Sequence, residues 1–407
     1  MLLKAEKGEL LLTLPGGEQH FFGRNKNASA VLWVHHWDVF SKIVGSGDIG
    51  LGEAFMSREW DSPNPAAVLE FLIENRPCFK RLSRFEKISG VFNRMLHWIR
   101  KNTVSGSKKN IGAHYDLSND FFKAFLDESM TYSCAVFDPT DKKLEAAQKS
   151  KINNIINNAK IGPDNHVLEI GCGWGAFAIE AVRKTGCRVT GLTLSEEQFK
   201  LARARVREAG LEDKIEIRLC DYRNVNGAFD RIVSIEMLEA VGHDYFGEFF
   251  NCCDRLLKPD GIMALQVITI PDQRYDNYRR GCDFIQKYIF PGGLLPSLHI
   301  LSENMTKQSA LIFEKIENIG PHYATTLRMW YEQFKLNRAR IQALGFDGAL
   351  LRDWEYYFVY CEAGFKKRYL TCLQLVVTRS QNATFETIKT HDEVNHTAIQ
   401  NEAAAFS

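Results

Sequence analysis

The spacing of apolar residues changes several times along the chain and divides it into distinct segments. Residues 9–23, ELLLTLPGGEQHFFG, place a Pro-Gly-Gly turn between two apolar runs, which predicts a β-hairpin. Residues 64–75, NPAAVLEFLIEN, have helical periodicity and begin with Asn-Pro, a pair that suits a cap and a first turn. Residues 1–75 therefore predict a small module of mixed α and β structure.

The next segment, 79–101, combines helical apolar spacing with a strong excess of positive charge. FKRLSRFEKISGVFNRMLHWIRK carries many lysines and arginines but only one acid, Glu86. Such a helix can lie on an anionic lipid surface. The alternative is a linker helix that packs on its neighbour and exposes a solvated basic face. The polar stretch SGSKKN at 105–110 then indicates a domain boundary.

From about residue 140 the apolar runs alternate between strand-like and helix-like spacing. A helix is predicted at 142–160, and a second helix, SEEQFKLARARVREAG, opens on a Ser-x-x-Gln capping box at Ser195. A third helix is predicted at 245–257. NHVLEIGCGWG, at 165–175, is predicted as a strand that runs into a glycine-rich turn, and further strands are predicted at 187–195, 214–220, 229–237 and 261–270. This alternation predicts an α/β fold with a doubly wound parallel sheet.

The last third of the chain departs from that alternation. Residues 271–310 predict an inserted cap, helices follow near 325–344 and 350–364, and the apolar strand 371–379, TCLQLVVTR, closes the core. The polar tail has little apolar periodicity, which predicts disorder. The predicted units are therefore an N-terminal accessory domain at 1–104, a catalytic domain at 105–380 and a tail at 381–407.

Composition narrows the class of protein further. Of 407 residues, 45% are hydrophobic and 25% charged, and the net charge of +1 argues against a nucleic-acid partner. The 10 cysteines show neither a CxxC pair nor zinc-ligand spacing, which predicts free thiols, a reducing compartment and no metal site. Without a signal-peptide pattern or a membrane-spanning apolar run, we expect a cytoplasmic protein that contacts membrane only peripherally.

A glycine-rich turn between a strand and a helix supplies the first chemical signal. VLEIGCGWGAFA places Gly171, Gly173 and Gly175 where the backbone can approach a ligand closely. This GxGxG differs from the GxGxxG of dinucleotide folds. Glu169 precedes it, where a carboxylate can meet a cationic amine. S-adenosylmethionine (AdoMet) carries such an amine and needs no pyrophosphate cradle, so an AdoMet site is predicted; the alternative is a purely structural turn.

Two further positions carry polar groups at strand ends. After the second strand, where nucleotide sites usually hold an acid, Thr193 and Gln198 are the first polar groups available. VSIEMLEAVGH, at 233–243, ends an apolar strand with Glu236 and Glu239, which are costly to desolvate unless they are paired. Glu239 is a candidate base, and Glu236 a supporting residue or a cap for the helix near 244.

Five segments carry a resemblance to a known family: HYDLSNDFFKAFLDESMTYSCAVF (114–137), VLEIGCGWG (167–175), GLTLSEEQ (191–198), KYIFPGGLLPS (287–297) and HYATTLRMWYEQF (322–334). Together they resemble the cyclopropane-fatty-acid synthases, AdoMet-dependent methyltransferases that include the mycolic-acid cyclopropane synthases. In detail the chain is most similar to plant-type members and their bacterial relatives. The resemblance covers about 110–380, and the N-terminal module resembles the accessory domain of long members.

The resemblance implies a fold and a reaction. The fold is a class I AdoMet-dependent methyltransferase, with a Rossmann-like doubly wound sheet, a lipid-site cap and a small N-terminal α+β domain. The reaction transfers the AdoMet methyl group to the cis double bond of unsaturated acyl chains in membrane phospholipids. A carbocation forms, bound bicarbonate takes a proton from it, and a cyclopropane ring closes. A homodimer, which long members often form, is left open.

The resemblance also assigns residues. For AdoMet it implies Tyr132, Ser133, Gly171, Gly173, Gly175, Thr193, Gln198 and Tyr222, with Asp221 or Arg223 near the adenine. For bicarbonate it implies Cys134, Glu239, Ile268 and Tyr323, with Glu239 accepting the bicarbonate proton. Gln266 stands where many members have a histidine ligand. Cys361 matches a cysteine labelled active-site in the family, although a structural role fits this chemistry better.

Three alternatives stay open at this point. The same cation could yield a methyl or methylene branch instead of a ring. The chain could be a small-molecule N-methyltransferase of the coclaurine type, against which Ala240 argues because those enzymes tend to have histidine there. It could also be a lipid-binding protein with a vestigial site, which the presence of the glycine loop, Glu239 and Tyr323 disfavours.

Overall fold

The computed structural model describes residues 5–23, 28–79, 118–139 and 143–385. The basic segment after residue 79, the boundary at 105–110 and the tail after 385 lie outside these residues, so their predictions stay untested.

The N-terminal module is a four-stranded sheet with two helices, as the predicted α+β class requires. Its strands are β1 (Leu10–Thr13), β2 (Gln19–Phe22), β3 (Ala30–Val34) and β4 (Trp60–Asp61), in the order β2-β1-β3-β4. β1 and β2 form the predicted antiparallel hairpin. Helix α2 (Pro65–Glu74) is also confirmed, because the Asn64 side chain accepts a hydrogen bond from the Ala67 N–H as its N-cap.

Helix α1 (Asp38–Met56) was missed by the sequence analysis. Its many glycines obscure the apolar periodicity, and Gly47 interrupts the helix with non-helical dihedrals. One of these glycines serves close packing: a Cβ on Gly52 would lie 2.4 Å from the Phe284 ring and 2.8 Å from that of Tyr356. The N-terminal module therefore packs tightly on the rest of the protein, and one continuous apolar core joins the two.

The central sheet has seven strands in the order β10-β11-β9-β8-β5-β6-β7. Their bounds are β5 (His166–Ile170), β6 (Arg188–Thr193), β7 (Ile215–Leu219), β8 (Phe229–Ile235), β9 (Leu257–Thr269), β10 (Leu311–Asn318) and β11 (Thr371–Arg379). β5 to β9 pair in parallel as predicted, whereas β11 is antiparallel to β9 and β10 to β11. β10 was missed, because this edge strand exposes Ile312 and Ile316 and lacks the apolar run of a buried strand.

Helices cover both faces of this sheet, which confirms the doubly wound class. Neighbouring residues of β5 show the arrangement: Val167 packs in one apolar cluster and Leu168 in another. The covering helices are α4 (Leu144–Asn158), α5 (Ala176–Thr185) and α6 (Glu196–Glu208) on one face, and α7 (Phe246–Leu256) and α9 (Leu298–Gln308) on the other. A short helix, α3 (Asn119–Phe122), precedes them.

The predicted cap and the predicted C-terminal helices are present with altered bounds. The cap contains α8 (Asp272–Tyr278) and one π-helical turn, Ile285–Ile289. The helix expected near 325–344 is two helices, α10 (Gly320–Leu336) and α11 (Arg338–Ala343), and α12 follows at Gly348–Lys366. Within the described residues, no helix combines the length and apolar composition that crossing a membrane requires.

The topology places two loops together. The chain runs from β5 through β6 to β7 on one side and returns with β8 on the other side of β5. The loops that follow β5 and β8 therefore meet at the switch point of the sheet, where open α/β folds bind their ligands.

Candidate active site

The glycine loop after β5 begins the site. Gly171, Gly173 and Gly175 all have φ between 51° and 84°, in the left-handed region. A Cβ on Gly171 would lie 2.9 Å from the Met237 side chain, so this position also needs glycine for space. The turn leads directly into α5, whose N-terminal N–H groups face the loop.

A first cavity, of about 180 Å³, opens beside this loop. It brings together Tyr132, Ser133, Glu169, Gly171, Gly173, Thr193, Gln198, Asp221 and Tyr222, all predicted to bind AdoMet. Gly175 is the exception among the predicted residues: it caps α5 and faces Ala202 instead.

Glu169 tests whether this cavity fits AdoMet. The carboxylate is buried, and among the described residues its Oε2 has no hydrogen-bond partner. Burial raises the pKa of Glu169 well above its usual value, which the charge of Lys151 only partly opposes. An unpaired buried carboxylate is costly, and the α-amino group of AdoMet would supply the missing cation. The residues present therefore fit the cofactor.

Lys151 lies in the same cavity and was missed by the sequence analysis. Its Nζ donates to Ser133 Oγ at 2.8 Å, and burial lowers the pKa of this lysine. One turn earlier on α4, Gln148 donates to the carbonyl oxygens of Thr131 and Ser133. Both polar residues fall on the apolar, buried stripe of α4, and that position was the available signal.

At the other end of the cavity, Asp221 and Arg223 form a two-bond ion pair. Arg223 Nε lies 2.9 Å from Asp221 Oδ1, and Nη2 lies 2.7 Å from Oδ2. Burial alone would raise the pKa of Asp221, but the bonds to Arg223 outweigh it and lower the pKa. Tyr222 is buried beside this pair and lines the cavity, as its predicted adenine contact requires.

A second cavity, of about 640 Å³, adjoins the first. Its lining is mostly apolar and aromatic, and it comes from the N-terminal module, the cap, α10 and α12; it includes Leu51, Leu69, Ile285, Phe290, Tyr323, Leu327 and Tyr357. Tyr132, Glu236 and Ala240 line both cavities, so the two spaces meet at these residues.

Glu236 is the centre of this junction, and its predicted role as a helix cap is wrong. The helix near 244 has no side-chain cap. Glu236 Oε1 instead accepts bonds from the Cys134 N–H and Gln266 Nε2, both at 2.8 Å, and Oε2 accepts from the Tyr323 hydroxyl at 2.5 Å. The carboxylate lies deep in the protein and keeps some accessible surface because it faces the cavities.

The orientation of Gln266 is set by a strand pairing. Gln266 on β9 stands opposite Gln374 on β11, and Gln374 Nε2 donates to Gln266 Oε1 at 3.0 Å. The amide nitrogen of Gln266 therefore points to Glu236 and to the Cys134 carbonyl oxygen. Gln266 is thus a fixed donor in the position where a histidine is common in the family.

The Glu239 carboxyl group has fewer hydrogen-bond donors around it than that of Glu236. The Ile268 N–H donates to Glu239 Oε1, while among the described residues Oε2 has no partner. Burial, followed by the nearby Glu236 charge, raises the pKa of Glu239 to about 8. Glu239 therefore holds a proton near neutral pH, whereas Glu236 accepts three hydrogen bonds that act against the rise that burial causes in its pKa.

The two predicted cysteines occupy different places. Cys134 is fully buried with its thiol toward the carbonyl oxygens of Ala135 and Ile319, so only its backbone N–H reaches the site. Cys361 lines the second cavity on α12, where burial raises the pKa of its thiol. A thiol held in its protonated form is a poor nucleophile.

The donors at the positions that the resemblance assigns to bicarbonate, and the Gln266 amide beside them, already have acceptors. The Cys134 N–H, the Gln266 amide and the Tyr323 hydroxyl all donate to Glu236. The Ile268 N–H donates to Glu239. These donors do not fit a free bicarbonate ion, because internal carboxylates accept their hydrogen bonds.

Asn119 is the first residue of α3, and Ser118 holds the cap position. The Asn119 side chain accepts a hydrogen bond from Trp174 Nε1 at 2.7 Å, which ties α3 to the glycine loop.

Known proteins with a similar sequence belong to one family. Residues 103–375 match the family model described as mycolic acid cyclopropane synthetase. The chain is 40% identical over 367 residues to tuberculostearic acid methyltransferase UfaA1 of Mycobacterium tuberculosis, covering 86% of this chain and 83% of that protein. It is 35% identical over 361 residues to the cyclopropane-fatty-acyl-phospholipid synthase of Escherichia coli, covering 87% and 89% of the two chains.

The solved structure of a related protein indicates the cofactor. Mycolic acid cyclopropane synthase CmaA1, crystallised with S-adenosylhomocysteine (SAH) and CTAB, superposes with a TM-score of 0.63 at 32% identity, covering 67% of this chain and 98% of that one. The predicted fold is confirmed by this similarity. Because the family model covers more than half of the chain, this match also establishes the family to which the chain belongs. The chain belongs to the mycolic acid cyclopropane synthetase family and is an AdoMet-dependent methyltransferase.

Proposed function

We propose that this protein transfers a methyl group from AdoMet to the cis double bond of an unsaturated acyl chain in a membrane phospholipid and closes a cyclopropane ring. One observation carries the proposal: an apolar cavity meets the cofactor cavity at Tyr132, Glu236 and Ala240. An acyl chain in the second cavity would have its double bond beside the methyl donor.

The lining of the second cavity suits the chemistry of a hydrocarbon cation. AdoMet, when bound, supplies an electrophilic methyl group. The apolar walls exclude water, which would otherwise hydrate the cation. Tyr132, Phe290 and Tyr357 lie close together around the junction, with the Tyr132 and Phe290 rings 6.4 Å apart. Their faces can stabilise positive charge.

Two arginines support an anionic head group. Arg76 is exposed, lines the second cavity and donates a hydrogen bond to the Tyr369 hydroxyl. The half-buried Arg274 also lines this cavity, and its guanidinium lies 3.1 Å from the centre of the Tyr369 ring. Among the described residues, neither arginine forms an ion pair with a carboxylate. Burial and the charge of Arg76 lower the pKa of Arg274 to about 10. A lipid phosphate would supply the missing counter-charge.

A second candidate function differs only in the fate of the cation. The identity to a tuberculostearic acid methyltransferase favours a methyl or methylene branch in place of the ring. The residues that bind AdoMet and the acyl chain would serve both reactions equally until the carbocation has formed. The coclaurine-type alternative is less well supported, because a small amine would not need a long apolar cavity.

The test uses purified protein, AdoMet labelled in its methyl group and vesicles of a cis-unsaturated phospholipid. We expect the label in the acyl chain, with a gain of about 14 mass units for one CH₂, and NMR then separates ring from branch. Saturated phospholipid is the control for the double bond, and free unsaturated fatty acid is the control for the phosphate. Unlabelled lipid, under conditions in which AdoMet binds, would contradict the proposal.

A further inference from the structure

We propose that the Glu236 carboxylate is itself the proton acceptor of the reaction and occupies the place that the family resemblance gives to bicarbonate. The inference rests on the proposed function, because it concerns the cation formed on the acyl chain. Its main support is the hydrogen bonding: the Cys134 N–H, the Gln266 amide and the Tyr323 hydroxyl all donate to Glu236.

The location of Glu236 supports this role. Glu169 and Asp221 line the first cavity only, and Glu239 lines the second only. Among the described residues, Glu236 is the one carboxylate that lines both cavities. A group that takes a proton from the newly transferred methyl must lie where cofactor and acyl chain meet, and Glu236 is at that junction.

The backbone at Glu236 is held in an unfavourable conformation. Its φ of 51° lies in the left-handed region, which a glutamate adopts at a cost. The Glu236 N–H donates to the Gln266 carbonyl oxygen at 2.7 Å, and this bond helps fix the conformation. From this backbone conformation the side chain reaches the Cys134 N–H and the Tyr323 hydroxyl.

Hydrogen bonds and one positive charge oppose the effect of burial on the pKa of Glu236. Burial raises the pKa of Glu236, and the bonds from Tyr323, Gln266 and the Cys134 N–H, with the charge of Lys151, act against that rise. Glu239, with a single backbone donor, holds the proton instead. The thiol of Cys372 also donates to Glu236 Oε1, at 3.7 Å, and burial keeps this thiol protonated.

The step balances with Glu236 as the base. The π electrons of the double bond form a C–C bond to the methyl group, the methyl–sulfur bond breaks, and its electron pair stays on sulfur. Glu236 then takes a proton from the added methyl, and the released C–H electron pair closes the ring. The proton passes afterwards to water. Three hydrogen bonds hold the carboxylate in place, and so oppose its collapse onto the cation as an ester.

The experiment compares Glu236→Gln and Glu236→Gly with the unmodified protein in buffer depleted of carbon dioxide. We expect unmodified turnover to be the same with and without added bicarbonate. Glu236→Gln should lower turnover by about 100-fold or more while AdoMet affinity is kept. Glu236→Gly, in which glycine adopts this φ freely, should be inactive until bicarbonate is added, because the vacated donors can then bind it. Glu303→Gln, on the surface of α9, is the matched control and should behave as the unmodified protein.

Binding of ¹³C-labelled bicarbonate, followed by NMR, supplies a readout that does not depend on activity. Glu236→Gly should bind the ion and the unmodified protein should not. Unmodified protein that needs bicarbonate for turnover, or that binds it at the site, would overturn the inference, as would a fully active Glu236→Gln. Failure of the proposed function looks different: the unmodified protein would bind AdoMet yet label no lipid under any condition.

Discussion

The hydroxyl of Tyr323 lies 2.5 Å from Oε2 of Glu236, although the two residues are 87 positions apart in the chain. The Tyr323 ring also stacks on Phe365, with centroids 4.4 Å apart, so the hydroxyl is held by packing as well as by its acceptor. This pair joins α10 to the loop after β8 and fixes the carboxylate at the boundary between the two cavities.

Removing the Tyr323 hydroxyl should lower the turnover of the enzyme. Tyr323→Phe keeps the stacked ring but removes one donor to a carboxylate, worth about 1.5–3 kcal/mol, so we expect turnover to fall about 10- to 100-fold. The lost donor stabilised the ionised form, so the pKa of Glu236 rises and the acid limb of the kcat/KM profile moves to higher pH. Tyr331→Phe, on the same helix but outside both cavities, is the control. An unchanged profile in Tyr323→Phe would contradict this role.

The raised pKa of Glu239 predicts a pH-dependent gain in stability for Glu239→Gln. The pKa rises from 4.5 in the unfolded chain to about 8 in the folded protein. Between these values the folded state keeps a proton that the unfolded state releases, so the unmodified protein loses stability as pH rises. The variant lacks this loss. The free energy of unfolding of Glu239→Gln should therefore exceed that of the unmodified protein by an amount that grows across this pH window, to a few kcal/mol at most. Urea unfolding at several pH values measures this difference. Parallel stability curves for the two proteins would disprove the assignment.

Glu169 should strengthen the binding of AdoMet and lower the stability of the protein without AdoMet. In Glu169→Gln the partner of the AdoMet amino group is neutral, so we expect AdoMet affinity to fall about 10- to 100-fold by calorimetry, the range for a lost charge-assisted hydrogen bond. The same change removes an unpaired buried carboxylate, so the melting temperature without AdoMet should rise. Glu208→Gln, an exposed acid on α6, should alter neither quantity. Unchanged affinity in Glu169→Gln would place the amino group elsewhere.

The arginines of the second cavity predict a selective effect on lipid. Arg76→Gln removes one positive charge facing the head group, worth about 1 kcal/mol, so the KM for phospholipid vesicles should rise about fivefold. AdoMet affinity should stay the same, and added salt should shrink the difference between the two proteins. Arg280→Gln, an exposed arginine of the cap, is the control. An equal KM for Arg76→Gln would remove the phosphate contact from the proposal.

Local sequence patterns determined much of this protein. The hairpin at 9–23, the strand, glycine turn and helix around Gly171, and the capping box at Ser195 depend on residues a few positions apart, and their turn and cap chemistry can be read directly. The segments that carry the family resemblance are local in the same way. They indicated the fold and the residues that line the cofactor cavity.

Only the tertiary structure decided what Glu236 does. Its partners Cys134, Gln266 and Tyr323 are 102, 30 and 87 positions away in the chain, and no local pattern reports contacts at such separations. The antiparallel edge strand β10 and the glycine-rich helix α1 were missed for a related reason, since their stability comes from packing against distant elements. A glutamate that the local pattern suggested as a cap is therefore a hydrogen-bonded carboxylate at the junction of the two cavities, because folding brings three distant donors to it.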